Sequence, residues 1–430
     1  MRKMTRLFVA SLLMTALASC GEQPKKVYEP KEVDVFPTLT NEAIPYRIPA
    51  ITTTSQGDLL AVADFRHCRA DIGYGRVDLH ARISKDNGKT WGEIFPVIEG
   101  DGLMVNNDPN QSLNAGYGDP CLIADRESNR VLLVCVAGYQ VFFRSTREKP
   151  NQVAIMHSED GGQTWGEPKI ITDQFYVPLD ESAVGPIQSM FIGSGRIFQS
   201  RSVKVGKYYR LYACMVARDK DNNFCNFVVY SDNFGDNWKI LGDVNVPGIP
   251  NRGDEPKTEE LPDGSLLLSS RTDGGRRYNI FKFTNAKKAE GSWGESAFSG
   301  AENNGVAAEK NSCNGEVMVL PVVRNSDKKK MHIALQSLPF GPQRNNVGIY
   351  YKELAEASDY DTAENFAKDW DGRYQVTELP SAYSTMVMQA DGDIAFFYEE
   401  DKYKTIGGGY TMVYKNLTID LITGGQYSLR

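Results

Sequence analysis

Ser84-Lys85-Asp86-Asn87-Gly88-Lys89-Thr90-Trp91 is followed by Ser158-Glu159-Asp160-Gly161-Gly162-Gln163-Thr164-Trp165 and by Ser231-Asp232-Asn233-Phe234-Gly235-Asp236-Asn237-Trp238, where Asn233 takes the Asp position. Two decayed copies follow, Thr284-Asn285 to Trp293 and Tyr351-Lys352 to Trp370, so all five tryptophans end such a segment. A fixed period of roughly 70 residues marks a repeat architecture. Each segment encodes a turn. A short Asp or Asn side chain accepts bonds from nearby backbone N–H groups. The glycine supplies a conformation closed to other residues, and the tryptophan buries its ring against a sheet.

Strands lead into these turns. Residues 77–83 alternate apolar and polar side chains, the pattern of a half-buried strand, and Val153–Met156 and Phe227–Tyr230 are shorter apolar strands before the second and third turns. A looser motif interleaves: Gln56-Gly57-Asp58, Asp263-Gly264-Ser265 and Asp391-Gly392-Asp393 are hairpin turns entering apolar strands. Helical periodicity is nearly absent; the one helix expected is short and exposed, Thr362 to Asp369, with Asp361 as its N-cap. Evenly spaced strands with one Gly/aromatic turn per repeat imply propeller blades, each a four-stranded sheet, and the length accommodates five or six of them.

Composition bounds the rest. The chain has 430 residues, 41% of them hydrophobic and 24% charged, enough to build a large core and to exclude wholesale disorder. With 48 basic against 55 acidic residues, net −7, and no long Lys/Arg run, a nucleic-acid partner is not expected. Four histidines and no CxxC make a zinc site unexpected. Cys68, Cys121, Cys135, Cys214, Cys225 and Cys313 remain open between buried thiols and disulfides; Cys121/Cys135 and Cys214/Cys225 each flank a polar stretch across which they could face one another.

The first residues form a targeting signal. Arg2, Lys3 and Arg6 precede an apolar run, Leu7 to Ala18, too short to span a bilayer. Leu17-Ala18-Ser19-Cys20 resembles the bacterial lipobox, in which the cysteine becomes lipidated; an ordinary secretory peptide is the alternative. The expected organisation is a lipoprotein signal peptide over 1–19, a lipidated Cys20 with a polar tether over 20–35, and one domain over 36–430.

The repeated turns resemble the Asp-box of sialidases and related propellers, a motif specific for fold but not for activity. The resemblance extends over roughly residues 40–415. Tyr46-Arg47-Ile48-Pro49-Ala50 looks like the Arg-Ile-Pro motif that opens bacterial exo-sialidases. Arg66 and Asp71 stand where that pattern places a substrate-contacting Arg and the acid/base Asp. Glu255 and Arg271 have the separation of the Glu that activates the nucleophile and the Arg that binds substrate, with Glu259 and Glu260 as competitors for the first role. Pro342-Gln343-Arg344 resembles the source of the third Arg, and Ser381-Ala382-Tyr383-Ser384 the segment holding the catalytic Tyr. The departure is a mostly polar insert, Glu353 to Asp371, in place of an Asp-box.

The resemblance implies an all-β, six-bladed propeller and a retaining exo-α-sialidase. Asp71, Glu255 and Tyr383 would be catalytic, and Arg47, Arg66, Arg271 and Arg344 would bind substrate. It implies no metal or organic cofactor, sialylated glycans as partners, a membrane reached through the lipid anchor alone, a monomer, and a place in the bacterial envelope at the outer membrane. A transglycosylase with the same site and a silent glycan-binding propeller are the alternatives. The residue types fit the chemistry. A sialic acid bears a carboxylate on its anomeric carbon, and the planar fork of Arg matches it. That carboxylate would repel an anionic nucleophile. A neutral Tyr avoids the repulsion but, with a pKa near ~10, needs a neighbouring base.

If Cys20 is the lipid attachment point, Cys20→Ala abolishes incorporation of labelled fatty acid and releases the protein from membranes. A variant that stays labelled and membrane-bound removes the anchor.

Overall fold

The computed structural model describes residues 31–39, 44–104, 112–404 and 409–430. Its strands form six sheets, five of them antiparallel throughout and the sixth with one parallel pair, arranged as a six-bladed β-propeller. Blade 1 runs through Tyr46–Thr53, Leu59–Phe65, Asp78–Ser84 and Phe95–Ile98. Blade 2 begins with Tyr117–Ala124, blade 4 with Pro256–Glu260, blade 5 with Val317–Arg324 and blade 6 with Ser381–Met388. Blade 3 is built on the long hairpin Tyr208–Arg218 and Phe224–Ser231. The ring closes through an exchange of strands: Glu32–Phe36, from the start of the described chain, pairs antiparallel with Thr411–Leu417 and completes blade 6. All but the last residue of this strand lies within the segment drawn above as tether. Signal peptide and Cys20 fall outside the described residues.

The three intact turns share one geometry. Ser84, Ser158 and Ser231 each accept, through Oγ, the N–H of the glycine four residues on, at 2.9, 2.8 and 2.9 Å. Asp86, Asp160 and Asn233 accept the N–H of Thr90, Thr164 and Asn237 at 2.8, 2.9 and 2.9 Å. The glycines do more than turn the chain. Each has positive φ, and a Cβ there would collide with the preceding blade: at Gly88 with Tyr414 of blade 6, at Gly162 with Leu60 of blade 1, at Gly235 with Leu132 of blade 2. The turn is therefore a contact between blades as well as a cap on one of them.

Burial follows the same logic. Six large apolar clusters each straddle two adjacent blades, for example Leu60, Val62 and Leu79 with Leu122, Leu133 and Met156 between blades 1 and 2, and Val35, Phe36 and Ile51 with Phe397 and Tyr414 where blades 6 and 1 meet. The decayed repeats differ. After Phe283, Asn285 accepts the N–H of Lys288 in a short 3-10 turn. In blade 5 the insert folds into the helix Ala363–Ala367. Its cap is Thr362, whose side chain accepts the N–H of Asn365, and not Asp361, which bonds the Asn365 side-chain amide instead. Nor is this helix exposed: Ala363, Phe366 and Ala367 are buried against Tyr278 and Trp370. Two further short helices, Asp173–Tyr176 and Ile419–Ile422, had no periodic signal because four residues are too few to show one.

All six cysteines over the described residues are free thiols. Cys121 lies opposite Val134 and Cys225 opposite Ala217, so neither candidate pair faces across its hairpin. Among the described residues no helix is long and apolar enough to cross a membrane.

Phe36 is fully buried and touches Tyr46 and Phe397, with ring centroids 5.1 and 6.3 Å away. Phe36→Ala removes this apolar link at the ring closure and costs about 3–5 kcal/mol, read as a lowered denaturant midpoint at unchanged slope.

Candidate active site

The first strands of the blades all start at one mouth of the propeller, and three of them carry irregularities there. The pairing shifts between Arg47 and Ala50 in blade 1, between Gly118 and Cys121 in blade 2, and between Ser381 and Ser384 in blade 6. Bulges re-aim side chains, and here they aim Arg47, Asp119 and Tyr383 into one cavity. Two bulge residues have left-handed backbone, Ile48 at φ 60° and Asp119 at φ 53°. For β-branched Ile48 this is a strained conformation. Hairpin geometry adds the rest: Arg66 and Arg271 lie at the returning ends of second strands, where Arg66 N–H bonds Pro45 O at 3.0 Å and Arg271 N–H bonds Glu255 O at 3.2 Å. Arg344 sits in the blade 5 loop, and its carbonyl accepts the N–H of Ser381 at 2.9 Å.

The cavity has a volume of about 330 Å³, and Arg47, Asp71, Glu255, Arg271, Arg344 and Tyr383 all line it. At its floor the Tyr383 hydroxyl donates to Glu255 Oε1, and Arg271 Nη1 reaches both that hydroxyl and Glu255 Oε1 at 3.1 Å. The other oxygen of Glu255 is buried without a hydrogen-bond partner, so this carboxylate keeps lone pairs free to accept a hydrogen bond. Burial, reinforced by the charge of Glu255, pushes the Tyr383 phenol well above its usual range, while Arg271 and Arg344 pull it back. The guanidinium carbons of Arg344 and Arg47 lie 5.5 and 5.8 Å from the centre of the Tyr383 ring. Three cations thus surround one neutral phenol.

They are unequally balanced. Arg271 is paired with Asp254 at 3.2 Å as well as with Glu255. Arg47 is held by Glu399 at 2.7 Å. Among the described residues no carboxylate pairs with Arg344. An anion placed between the three would meet an unsatisfied guanidinium.

Asp71 lines the cavity from the loop between the second and third strands of blade 1. Its side chain is 76% exposed and bonded to Arg66. The Arg66 guanidinium, against the effect of burial and with help from Arg47 and Arg344, holds this carboxyl below its usual range. Arg66 does not line the cavity. It is buried behind Asp71 with Asp64 Oδ2 at 2.8 Å and Asp119 Oδ1 at 3.8 Å, so its direct partners within the protein are carboxylates. Glu259 and Glu260, the competitors of Glu255, point elsewhere: Glu259 is paired with Arg196 and Arg201, and Glu260 accepts bonds from Ser200 and Arg201.

Two residues of the site had not been singled out. Asp119 lines the cavity, and burial beside Asp64 and Asp71 raises its pKa well above the ordinary carboxyl value. The signal available was Gly118-Asp119-Pro120, a turn-like triplet inside an apolar strand. Glu399 is fully buried and accepts from Arg47, from Ile48 N–H at 2.8 Å and from Tyr383 N–H at 3.1 Å. Its signal was an acid at the end of a run of apolar strand residues, Ile394 to Tyr398. Among the described residues no group of three His, Cys, Asp or Glu is placed to hold a metal.

The chain is similar to known proteins. A family model for the BNR repeat-like domain matches residues 48–348. A sialidase of Micromonospora viridifaciens is 32% identical over 254 residues, 54% of this chain and 36% of that protein. A sialidase of Paraclostridium sordellii is 25% identical over 258 residues, 57% of each. The chain thus spans between about a third and somewhat over half of these relatives. Among solved structures, a Hadza microbial sialidase superposes with TM-score 0.66 at 21% identity, covering 88% of this chain and 66% of that one. The intramolecular trans-sialidase of Ruminococcus gnavus, solved with oseltamivir carboxylate, gives 0.67 at 18% identity, covering 90% and 96%. At such identities the likeness is one of fold.

Glu399→Ala strands Arg47 and two backbone N–H groups, and lowers stability by about 3–5 kcal/mol near neutral pH. Burial opposes the charged form of Glu399, but Arg47 and the backbone donors hold its pKa below the ordinary value. Its stabilisation is therefore complete above the unfolded-state pKa of about 4.3 and is lost as pH falls through the lower folded value. Denaturation curves of the two proteins should converge in acid; a gap that does not depend on pH refutes the assignment.

Proposed function

The chain belongs to the BNR repeat-like domain family, and from that premise we propose that it is a retaining exo-α-sialidase that removes terminal α-linked sialic acids from glycoconjugates. The observation carrying this reading is the convergence of Arg47, Arg271 and Arg344 around Tyr383, whose hydroxyl is bonded to Glu255 and reached by Arg271. A carboxylate clamp beside a neutral nucleophile and its base suits a sugar whose anomeric carbon carries the carboxylate.

The steps follow from the positions. The sugar carboxylate settles among the three guanidiniums. Tyr383 Oη attacks the anomeric carbon while Glu255 takes its proton, and the bond to the leaving oxygen breaks as Asp71 protonates it. In the second half Asp71 takes a proton from water, whose oxygen attacks the same carbon; the bond from that carbon to Tyr383 Oη breaks, and Glu255 returns the proton to the departing Tyr383 oxygen. Two inversions give net retention. Tyrosine nucleophiles in sialidases are a recognised exception to the two-carboxylate rule. Asp71 starts as an anion held by Arg66. An incoming carboxylate neutralises Arg47 and Arg344, two of the charges holding it down, and the bound sugar shields it from water; both changes favour its protonated form. Arg66 then acts by holding Asp71 in place. Asp119, whose carboxyl burial pushes above its usual range, faces the same cavity.

The same proposal includes sialylated glycans as substrates, no metal or organic cofactor, a monomeric propeller, and attachment to a bacterial envelope through lipid on Cys20.

The purified protein should release fluorophore from an aryl α-sialoside, with the α-anomer of sialic acid as first product. Tyr383→Phe should retain the fold and lose activity by ~10²-fold or more. A 3-fluorosialosyl fluoride should label Tyr383 and leave Glu255 unmodified. Asp71→Asn should impair sialyllactose far more than the aryl sialoside, whose leaving group needs no proton. Label on Glu255 or Asp71, or near-normal turnover by Tyr383→Phe, overturns the mechanism; no hydrolysis of any sialoside overturns the function.

A further inference from the structure

A second concavity, a groove of about 790 Å³, adjoins the cavity and shares Phe224, Asp254 and Arg271 with it. Beyond Arg271 it is lined by Arg252, Thr272, Arg277, Phe298 and Ser312. The two additional cations differ from Arg271. Among the described residues neither Arg252 nor Arg277 has a carboxylate partner, and Arg277 Nε is buried without any hydrogen bond. Arg277 and Phe298 are opposed in register on neighbouring strands, so an aromatic face and a cation project from the same place. Asp254 is engaged with Arg271. Asp273, at the tip of the adjoining hairpin, is the one further carboxylate in the lining, so Arg252 and Arg277 together leave positive charge in excess.

What reaches this groove is fixed by the chemistry of the proposed substrate, and the inference rests on that reading. The carboxylate and the glycosidic oxygen of a sialoside are attached to one carbon. If the carboxylate lies against Arg271, the leaving group emerges within a bond or two of the same guanidinium, at the edge the groove shares with the cavity. Only the leaving group extends beyond a cavity that holds the terminal sugar. We propose that this groove is a subsite for the leaving group and that it selects aglycones carrying an anionic substituent, a carboxylate or a sulfate on the next sugar. Arg277 and Arg252 pair with the anion, and Phe298 takes the apolar face of the ring.

The test compares wild type, Arg277→Gln, Arg252→Gln and the double variant on three substrates: 3′-sialyllactose, with a neutral aglycone; α2,8-linked disialic acid, with a carboxylate; and a sialoside of 6-sulfogalactose. For wild type, kcat/KM should favour one or both anionic aglycones, and which of them is favoured tells carboxylate from sulfate. The ratio of kcat/KM on the favoured anionic substrate to that on sialyllactose should fall about tenfold in each single variant and further in the double variant, carried mainly by KM. Arg252 is exposed at the loop before blade 4, so its variant is free of a folding penalty and keeps the test valid should Arg277→Gln be unstable. A wild type active on sialyllactose with no preference for anionic aglycones, or variants that lose activity equally on all three, removes the subsite and leaves the sialidase reading standing. A wild type inactive on all three removes both.

Discussion

One buried carboxylate ties the fold to the site. Glu399 lies on the second strand of blade 6, fully enclosed, and its two oxygens receive the guanidinium of Arg47 and the N–H groups of Ile48 and Tyr383. Arg47 and Ile48 belong to the first blade and Tyr383 to the last. A single charged group therefore joins the two ends of the ring at the point where the cavity forms. Desolvating a carboxylate is expensive, and only a full set of donors offsets it. Glu399 has that set, and in exchange it fixes two bulges and the left-handed backbone of Ile48. The interaction is better understood as one that specifies geometry than as one that adds stability.

The remaining charges sort by face. Below the cavity, Glu259, Glu260, Glu316, Arg196, Arg201 and Lys257 neutralise one another along the inner strands, with Glu316 also accepting a bond from Thr385. Within the cavity the pairing is incomplete: among the described residues Arg344 has no carboxylate partner, and Glu255 has an oxygen without a donor. An unpartnered buried group is costly, and at Glu255 it stands where a ligand can enter. The rest of the molecule shows the opposite economy of design, with six inter-blade clusters of apolar side chains and turns whose glycines rest directly on the neighbouring blade.

Much of this was legible from residue order alone. The serine, the Asp or Asn, the glycine and the tryptophan of each turn interact within eight residues, so the repeat, the strands entering it and the propeller follow from local chemistry. The helix of the blade 5 insert was found, but its cap was misplaced by one residue, because Asp361 and Thr362 are both competent caps and only the chain path selects Thr362. The short helices at 173–176 and 419–422 left no pattern to detect.

The site divides in the same way. Sequence by itself determined the residue types, the order of the motifs and the blade count that the resemblance implied, since these depend on contacts between near neighbours or on motifs contiguous in the chain. Only the tertiary structure decided which glutamate meets Tyr383, that Arg66 stands behind Asp71 with its hydrogen bonds directed to carboxylates, and that Asp119 and Glu399 belong to the site at all. Those outcomes depend on bulges that rotate side chains out of the strand alternation and on contacts between blades hundreds of residues apart. A buried charge is assigned its partner by the field of the assembled ring, and that field does not exist until the first strand has closed on the last.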